Sequence, residues 1–298
     1  MHFFDSHTHL ESPEFEPDRD QVLARARAEG VTRMVTCGSD LATSSAAVAL
    51  AGRFQGVYAA VGIHPHEARS VVQGGQTQRG RWELDEAALE QLSELAAHPK
   101  VVAIGEAGLD YHYEFSAPEA QRAVLARQLA LACELDLPII LHNRESDQDL
   151  CALVDGASAC PRGVLHCFLA DLPMARWGLA KGFYIGIAGP ITFKSASHLP
   201  EIVREIPIDR LLIETDAPQL APHPMRGRRN EPAFVVHVAE RLSEVLGLSL
   251  EEVAHRTTEN ACHLFGLPAP SGARSSSSPA VSETLTPGDL RELTCHGG

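Results

Sequence analysis

Two histidines one residue apart, His7 and His9, close the first apolar stretch of the chain. Alternate side chains of a β-strand point to the same side, so this pair can face one point. Four more residues of metal-ligand type each end another apolar run: Glu106, His142, His166 and Asp216. A carboxylate at such a position is costly to bury unless it is paired or bound to a cation. We therefore expect these six side chains to form one metal centre.

The mixture of imidazoles and carboxylates suits Zn²⁺, Mn²⁺ or Fe²⁺ better than a cage made only of oxygen ligands would. Six ligands exceed the three or four that one catalytic ion takes from a protein. The sequence therefore predicts two divalent ions, about 3.5–4 Å apart, with Glu106 as the bridging carboxylate. The remaining expected ligands divide into His7, His9 and Asp216 for one ion and His142 and His166 for the other.

Two ions held in this way activate water and polarise the bond that the water attacks. Asp216 is the candidate catalytic base because it would lie beside that water, and Glu106 is catalytic through the ions that it bridges. Asp5 lies two residues before His7, and Glu214 lies two before Asp216. We expect both to orient ligand imidazoles; the alternative for Glu214 is a structural ion pair with an arginine elsewhere in the fold.

A basic segment follows Asp216: residues 226–230 contain three arginines and an asparagine. Arginine forks and the N–H groups of a helix N-terminus both suit phosphate. We therefore predict that Arg229 and Asn230 contact a phosphate-containing substrate. The alternative for this segment is a solvated basic turn.

Two further residues at run ends are candidates for contact with the same substrate. His64 follows the third apolar run, where it could bind phosphate or protonate a leaving group. Arg144 lies two residues past His142 and could reach a phosphate oxygen.

Apolar, β-branched runs alternate along the chain with segments of helical periodicity. The strand-like runs lie at 3–6, 32–37, 57–63, 101–105, 138–142, 163–166, 183–187 and 211–215. The helical patterns lie at 17–29, 40–53, 83–97, 118–136, 145–154, 171–181, 198–205, 231–246 and 250–264. This alternation predicts a single-domain α/β fold, a (β/α)8 TIM barrel. An open doubly wound sheet is the alternative, but its distant strands could rarely reach one ion.

Two segments fall outside this alternation. Residues 71–82 are polar and rich in glycine, which predicts a surface loop that could form a rim over the site. The barrel domain is expected to span residues 1–268. Residues 269–298 are rich in serine and proline and poor in apolar area, which predicts a disordered tail.

The net charge of −14 argues against a protein that grips nucleic acid along an extended basic surface. It leaves open the binding of a strand end at a cationic centre. The chain has no apolar run of 18 residues, so we expect no membrane span, and we expect no signal peptide. Seven unevenly spaced cysteines without a C-x-x-C motif predict reduced thiols in a cytoplasmic protein. No feature points to an obligate protein partner.

Several long motifs occur in a fixed order: DSHTHL (5–10), GIHPH (62–66), GEAGLDYH (105–112), PIILHNRES (138–146), HCF (166–168), LLIETDAP (211–218) and RGRRNEP (226–232). With these motifs, residues 1–268 closely resemble the TatD family of metal-dependent deoxyribonucleases, within the amidohydrolase superfamily of barrels. The resemblance implies hydrolysis of DNA phosphodiester bonds, often as a 3′-to-5′ exonuclease on single strands, and incision at abasic sites.

Carried over by motif, the metal ligands of the family fall on His7, His9, Glu106, His142, His166 and Asp216. The substrate contacts of the family fall on His64 and the RNEP segment. The family usually works with Mg²⁺ or Mn²⁺, although its ligands resemble those of zinc hydrolases, so Zn²⁺ also stays open. The expected substrate is therefore DNA, at the ends of single strands.

The chain departs from the family pattern at two places. Leu169 and Ala170 follow HCF where the family commonly has Ser-Gly. Gln219 and Met225 stand in the segment after the eighth strand, where tyrosines are common in the family. The loss of those rings removes a candidate surface for base stacking.

A rival hypothesis is a small-molecule amidohydrolase or lactonase of the same superfamily, since a barrel alone does not decide function. Many such enzymes bridge two ions with a modified lysine that ends the fourth strand, a position that Glu106 occupies here. A third hypothesis, a non-catalytic metal-storage protein, is disfavoured because the ligand set is complete and has a candidate base beside it.

Overall fold

The computed structural model describes residues 1–76, 82–113, 115–157 and 162–269. The predicted tail therefore lies almost wholly outside the described residues, and so does the centre of the predicted 71–82 loop.

Ten strands are present in the described parts of the chain: β1 (Phe3–Thr8), β2 (Val31–Cys37), β3 (Val57–Val61), β4 (Val72–Gln76), β5 (Trp82–Leu84), β6 (Val101–Asp110), β7 (Ile139–Arg144), β8 (Gly163–Leu165), β9 (Tyr184–Ile187) and β10 (Leu211–Ile213). Eight of them form one parallel sheet in the order β1-β2-β3-β6-β7-β8-β9-β10. The predicted surface loop at 71–82 is wrong in part, because β4 lies within this range and pairs antiparallel with β5, which begins at Trp82.

The sheet closes between β1 and the segment that follows β10. The Asp216 N–H donates to the His7 carbonyl at 2.9 Å, and the His9 N–H donates to the Ala217 carbonyl at 2.8 Å. These bonds continue the parallel pairing past the end of β10, where Thr8 also bridges Ala217. The predicted (β/α)8 barrel is therefore confirmed, and its closing seam runs through the predicted metal ligands.

The helices lie close to their predicted bounds: α1 (Arg19–Ala28), α2 (Leu41–Arg53), α3 (Glu86–Ala96), α4 (Pro118–Glu134), α5 (Asp147–Gly156), α6 (Leu172–Ala180), α7 (Leu199–Arg204), α8 (Val235–Leu246) and α9 (Leu250–Leu264). Local signals explain where several of them begin. Asp40 caps α2 by accepting the Thr43 N–H, and Pro118 occupies the first turn of α4, where no N–H is needed. No helix among the described residues is long and apolar enough to cross a membrane.

The barrel interior is filled by side chains from every strand of the main sheet: Phe4, Val35, Ala60, Val102, Ile140, Val164, Tyr184 and Leu212. Phe265, just after α9, packs on Phe4 with ring centroids 5.8 Å apart. Since Phe4 lies at the beginning of β1, this contact closes the amino-terminal end of the barrel. The carboxyl ends of the strands, where the candidate ligands lie, remain as the functional mouth.

β6 is longer than predicted, because it runs to Asp110 rather than ending at residue 105. Gly108 lets β6 approach β7 closely: its φ is +154°, and a Cβ added there would lie 2.0 Å from the His142 carbonyl oxygen. Only glycine tolerates both conditions. This approach sets Glu106, on β6, against His142, on β7.

Candidate metal centre

The six predicted ligands converge at the carboxyl ends of the strands. Their ligand atoms form three groups, each within 4.8 Å: His7, His9 and Asp216; His7, Glu106 and His166; and His64, Glu106 and His142. The structure thus brings together all the residues predicted to bind metal. It also adds His64, for which the sequence suggested a contact with substrate.

Glu106 lies at the centre of the cluster, and its two oxygens face different histidines. Oε2 lies 3.4 Å from His7 Nε2 and 3.5 Å from His9 Nε2. Oε1 instead lies near three other imidazoles: His166 Nε2 at 2.8 Å, His142 Nδ1 at 2.9 Å and His64 Nε2 at 3.3 Å. A carboxylate divided in this way has the arrangement of a bridge between two ligand sets.

Asp216 belongs to the Oε2 side of the cluster. Its Oδ1 lies 3.5 Å from His9 Nε2 and 3.7 Å from His7 Nε2. Its φ of +56° is left-handed, a conformation that costs energy for a residue with a Cβ. The hydrogen bond from its N–H to His7 holds it there, so the seam of the barrel positions this carboxylate.

Neighbouring groups orient two of the imidazoles, and a carboxylate lies near a third. His9 Nδ1 lies 2.8 Å from the Cys37 carbonyl, which can only accept, so Nδ1 carries the proton and Nε2 turns a lone pair to the cluster. His142 Nε2 lies 3.2 Å from Asp110 Oδ2, on the side of the ring away from Glu106. His166 Nδ1 lies 3.5 Å from Glu214 Oε1 without forming a good hydrogen bond.

The expected role of Asp5 differs from its observed contacts. Its oxygens accept hydrogen bonds from Thr215, at 2.9 Å from the N–H and 2.6 Å from Oγ1, and it faces no ligand imidazole. Burial raises the pKa of Asp5 well above its usual range. The pairing of β1 with β2 is irregular between Asp5 and Thr8, which breaks the alternation on which the prediction was based.

Glu214 lies beside a ligand imidazole, and its expected role in orienting that ring stays a prediction. It is fully buried, faces His166, accepts a hydrogen bond from Ser6 Oγ at 3.1 Å, and also accepts the Cys167 N–H. It forms no ion pair with an arginine within the described ranges, so the alternative structural role is not observed.

The electrostatics of the cluster favour anionic carboxylates. Burial raises the pKa of Glu106, but the surrounding histidines, His166 first, more than offset this and hold it well below its usual range. In the same way, burial raises the pKa of Asp216, and the contact with His9 outweighs it and lowers the pKa. Burial lowers the pKa of His64 to about 4, so its imidazole is neutral at pH 7 and has a lone pair to offer.

The donor set fits divalent cations. Imidazole nitrogens and carboxylate oxygens converge at 2.8–3.7 Å, and His7 Nε2 lies 3.2 Å from His9 Nε2. Two imidazole nitrogens that approach each other so closely cannot both present lone pairs unless a cation or a proton lies between them. No lysine or arginine pairs with Glu106 or Asp216 in the described structure. A bound metal would therefore satisfy charges that the protein leaves unpaired.

The cluster forms the floor of a cavity of about 890 Å³ at the barrel mouth. Arg144 is the one lysine or arginine among the described residues that line it, beside acidic groups that include Glu67, Glu145 and Asp147. His64 also lines the cavity. Two of the residues predicted to contact substrate thus line the cavity, and their contact with substrate stays a prediction.

The structure does not bring the other two predicted contacts to the cavity. Arg229 donates to the Glu14 carbonyl at 2.6 Å and to Asp18 Oδ2 at 2.8 Å, and its guanidinium lies over Phe15. Its contact with substrate stays a prediction.

Asn230 is fully buried, and its Nδ2 donates to the Thr215 and Gln219 carbonyls at 2.8 and 2.6 Å. These bonds hold the segment that carries Asp216. Its contact with substrate likewise stays a prediction.

Sequence reasoning missed Asp110, which contacts His142 and also lies 2.9 Å from His66 Nε2. The signal was present, since Glu106 and Asp110 are an even number of residues apart and share one side of a strand. It was lost because the strand was expected to end at residue 105.

Comparison with known proteins places the chain in a family. Residues 4–266 match the family model described as TatD related DNase. The chain is 44% identical over 264 residues to the uncharacterized metal-dependent hydrolase YabD of Bacillus subtilis, covering 88% of this chain and 98% of that protein. It is 38% identical over 268 residues to the 3′-5′ ssDNA/RNA exonuclease TatD of Cronobacter sakazakii, covering 88% and 97%.

A solved structure agrees with these matches. The crystal structure of YJJV, a TatD homolog from Escherichia coli, superposes with a TM-score of 0.79 at 31% identity, covering 89% of this chain and 98% of that one. The fold, the buried histidine–carboxylate cluster and the sequence matches therefore agree. The chain belongs to the TatD related DNase family.

Proposed function

We propose that this protein hydrolyses phosphodiester bonds in single-stranded nucleic acid and removes nucleotides in the 3′-to-5′ direction. The division of the Glu106 oxygens between two sets of imidazoles carries the proposal, because a bridged pair of divalent ions is a common solution for phosphodiester hydrolysis. The exonuclease relative is named for single-stranded DNA and RNA, and we propose both as substrates of this protein. The family match favours this function over a small-molecule amidohydrolase or lactonase.

The proposed cofactor is two divalent ions, Mg²⁺ or Mn²⁺, with Zn²⁺ as the other candidate that the donor set allows. The proposed ligands are His7, His9 and Asp216 for one ion and His142 and His166 for the other, with Glu106 between them. His64 is a further candidate on the Oε1 side of Glu106. The ions would supply positive charge that polarises a phosphodiester and makes water more acidic.

Three residues of the chain have further proposed roles in the reaction. Asp216 Oδ1 lies at the cluster and can take a proton from the attacking water. Arg144 has no ion pair in the described structure and can donate to a phosphate oxygen. His64, neutral and on the cavity wall, can donate a hydrogen bond to a phosphate or leaving-group oxygen when it does not bind an ion.

The charge of the cavity limits how substrate is held. Acidic groups surround one arginine, so long stretches of phosphate backbone gain little there. A strand end needs only its scissile phosphate at the cations, which suits an exonuclease. Incision at abasic sites is a further predicted activity that the same centre could perform.

The test is hydrolysis of a 20-nucleotide single-stranded DNA labelled at its 5′ end and, separately, at its 3′ end. With Mg²⁺ or Mn²⁺ we expect a ladder from the 5′-labelled strand and early release of a labelled mononucleotide from the 3′-labelled one. A chelator should abolish both, and metal should restore them. An RNA strand and a duplex with one abasic site test the scope.

The opposite result would be equally informative. If no strand is cut with any divalent ion, while a lactone or cyclic amide is opened, the rival hydrolase function replaces this one. Release of mononucleotide from the 5′ end first would overturn the proposed direction.

A further inference from the structure

The loop between β6 and α4 carries two exposed aromatic rings beside the metal centre. Tyr113 is 50% exposed and Phe115 is 55% exposed. Their rings are nearly parallel, with an angle of 6° and centroids 5.6 Å apart. The other exposed large hydrophobic side chains in the described structure are Met1 and Leu169, and Leu169 lines the same cavity as Tyr113.

One ring of the pair, Tyr113, lies at the metal cavity, and Phe115 stacks against it. Tyr113 lines the cavity together with Arg144 and Leu169. The Arg144 guanidinium lies 4.7 Å from the Tyr113 ring centroid, and the edge of His66 meets both rings at nearly right angles. Arg144, which has no ion pair among the described residues, thus lies over a half-exposed ring at the cavity.

Asp110 ties this surface to the metal ligands. Its Oδ1 accepts the N–H groups of His112 and Tyr113, both at 3.0 Å. Its Oδ2 lies 3.2 Å from His142 Nε2. One buried carboxylate therefore fixes both the ring-bearing loop and a histidine of the cluster, so their separation is set by the fold.

We propose that Tyr113 and Phe115 form a stacking site for an unpaired base next to the scissile phosphate. The proposal rests on the proposed nuclease function and names how that site holds its substrate. Stacking needs no positive charge and accepts any base, because every base has a π face. Arg144 is the one lysine or arginine among the described residues of the cavity, so phosphate contacts supply little affinity there. Stacking of a base would add to it.

These rings lie in a different segment from the tyrosines of the family pattern. Gln219 and Met225 occupy the segment after β10, where the family commonly has tyrosines. The rings of the β6–α4 loop lie on the other side of the same mouth and offer the surface that those residues lack. An apolar segment of a partner protein or a second copy of the chain is a different occupant, which the test below separates.

The experiment compares two single-stranded DNA oligomers of equal length. One has ordinary nucleotides throughout, and the other has abasic tetrahydrofuran residues at its last two 3′ positions. For the wild-type protein we expect KM to be about tenfold lower for the ordinary oligomer, since stacking strengthens binding of the base. The Tyr113→Ala/Phe115→Ala variant should lose this difference through a higher KM, with kcat nearly unchanged.

Three controls sharpen the result. Tyr113→Phe and Phe115→Tyr keep the rings and should keep the wild-type KM. Leu169→Ala removes an exposed apolar side chain of the same cavity without removing a ring, and it should leave the preference for the ordinary oligomer intact. Thermal melting and size exclusion check that the double variant keeps its fold and oligomeric state.

Different failures have different signatures. If the wild-type protein cuts neither oligomer, the proposed function fails and the stacking site fails with it. If the wild-type protein is active but the double variant retains its preference, stacking by these rings is wrong while the nuclease function stands. A shift of the double variant to a smaller oligomer would instead assign the rings to self-association and overturn the proposal.

Discussion

Asp110 Oδ2 lies 3.2 Å from the Nε2 of His142, while the Nδ1 of the same ring lies 2.9 Å from Glu106. The histidine is therefore held between two carboxylates of one strand, β6. Burial raises the pKa of Asp110, but its contacts, that with His142 first, hold it well below its usual range. The anionic carboxylate fixes the ring so that Nδ1 faces the cluster.

Replacing Asp110 with asparagine tests this relationship. Asp110→Asn keeps the shape but removes the charge that holds the His142 ring. We expect metal affinity or activity to fall about 10- to 100-fold, the usual effect of losing a group that orients a metal-binding histidine. Titration of the metal-free protein with Mn²⁺, together with initial rates, measures both. Asp209→Asn changes an exposed aspartate and should alter neither; equal behaviour of the two variants would contradict the role of Asp110.

Glu106→Gln tests the bridge. Glutamine keeps the size of the side chain but replaces one oxygen by an NH₂ group, which cannot bind a cation. We expect bound metal to fall from about two ions per chain to about one or fewer, with loss of nuclease activity. Elemental analysis after equilibrium dialysis gives the metal content. Glu90→Gln, on the exposed face of α3, is the matched control. Unchanged metal content in Glu106→Gln would remove Glu106 from the centre.

Gly108→Ala tests the close approach of β6 to β7. The added methyl group would lie 2.0 Å from the His142 carbonyl, in a backbone conformation that disfavours a side chain. We expect a large fall in melting temperature and a loss of metal binding through displacement of His142. Gly52→Ala provides the opposite case, because Gly52 lies in α2 with nothing near its added methyl group. It should raise stability by about 0.5–1 kcal/mol.

Arg229→Met tests whether Arg229 holds the fold or binds substrate. Methionine keeps packing on Phe15 but removes the contacts with Asp18 and the Glu14 carbonyl. We expect stability to fall by about 1 kcal/mol or less, with an unchanged KM. A clear rise in KM would instead support the predicted contact with substrate.

The difference in stability between the wild-type protein and Arg229→Met should depend on pH because of Asp18. Its hydrogen bond with Arg229 is the main cause that lowers the pKa of Asp18 from its ordinary value of 3.8. A lowered pKa adds stability that is fully present above 3.8 and is lost as the pH falls through the lowered value. The difference in melting temperature between the wild-type protein and Arg229→Met should therefore be full at pH 7 and shrink below pH 3.8.

The alternation of apolar runs and helical segments was enough to predict the barrel, since each β-strand and each helix buries its own periodic face. The ligands could be predicted for a related reason. Each lies where an apolar run ends, and parallel strands of a barrel all end at one mouth. His7, Glu106 and Asp216 could thus be grouped although more than two hundred residues separate the first from the last.

The tertiary structure decided what strand periodicity could not. The irregular pairing of β1 turned Asp5 toward Thr215, and the extension of β6 brought Asp110 to His142. The contacts of Arg229 and Tyr113 also come from distant segments. Asp18 forms an ion pair with Arg229, and the Arg144 guanidinium lies over the Tyr113 ring. Residue type and spacing determine which groups can reach a site. Which of several partners a side chain chooses depends on contacts between distant segments, and these exist only in the closed barrel.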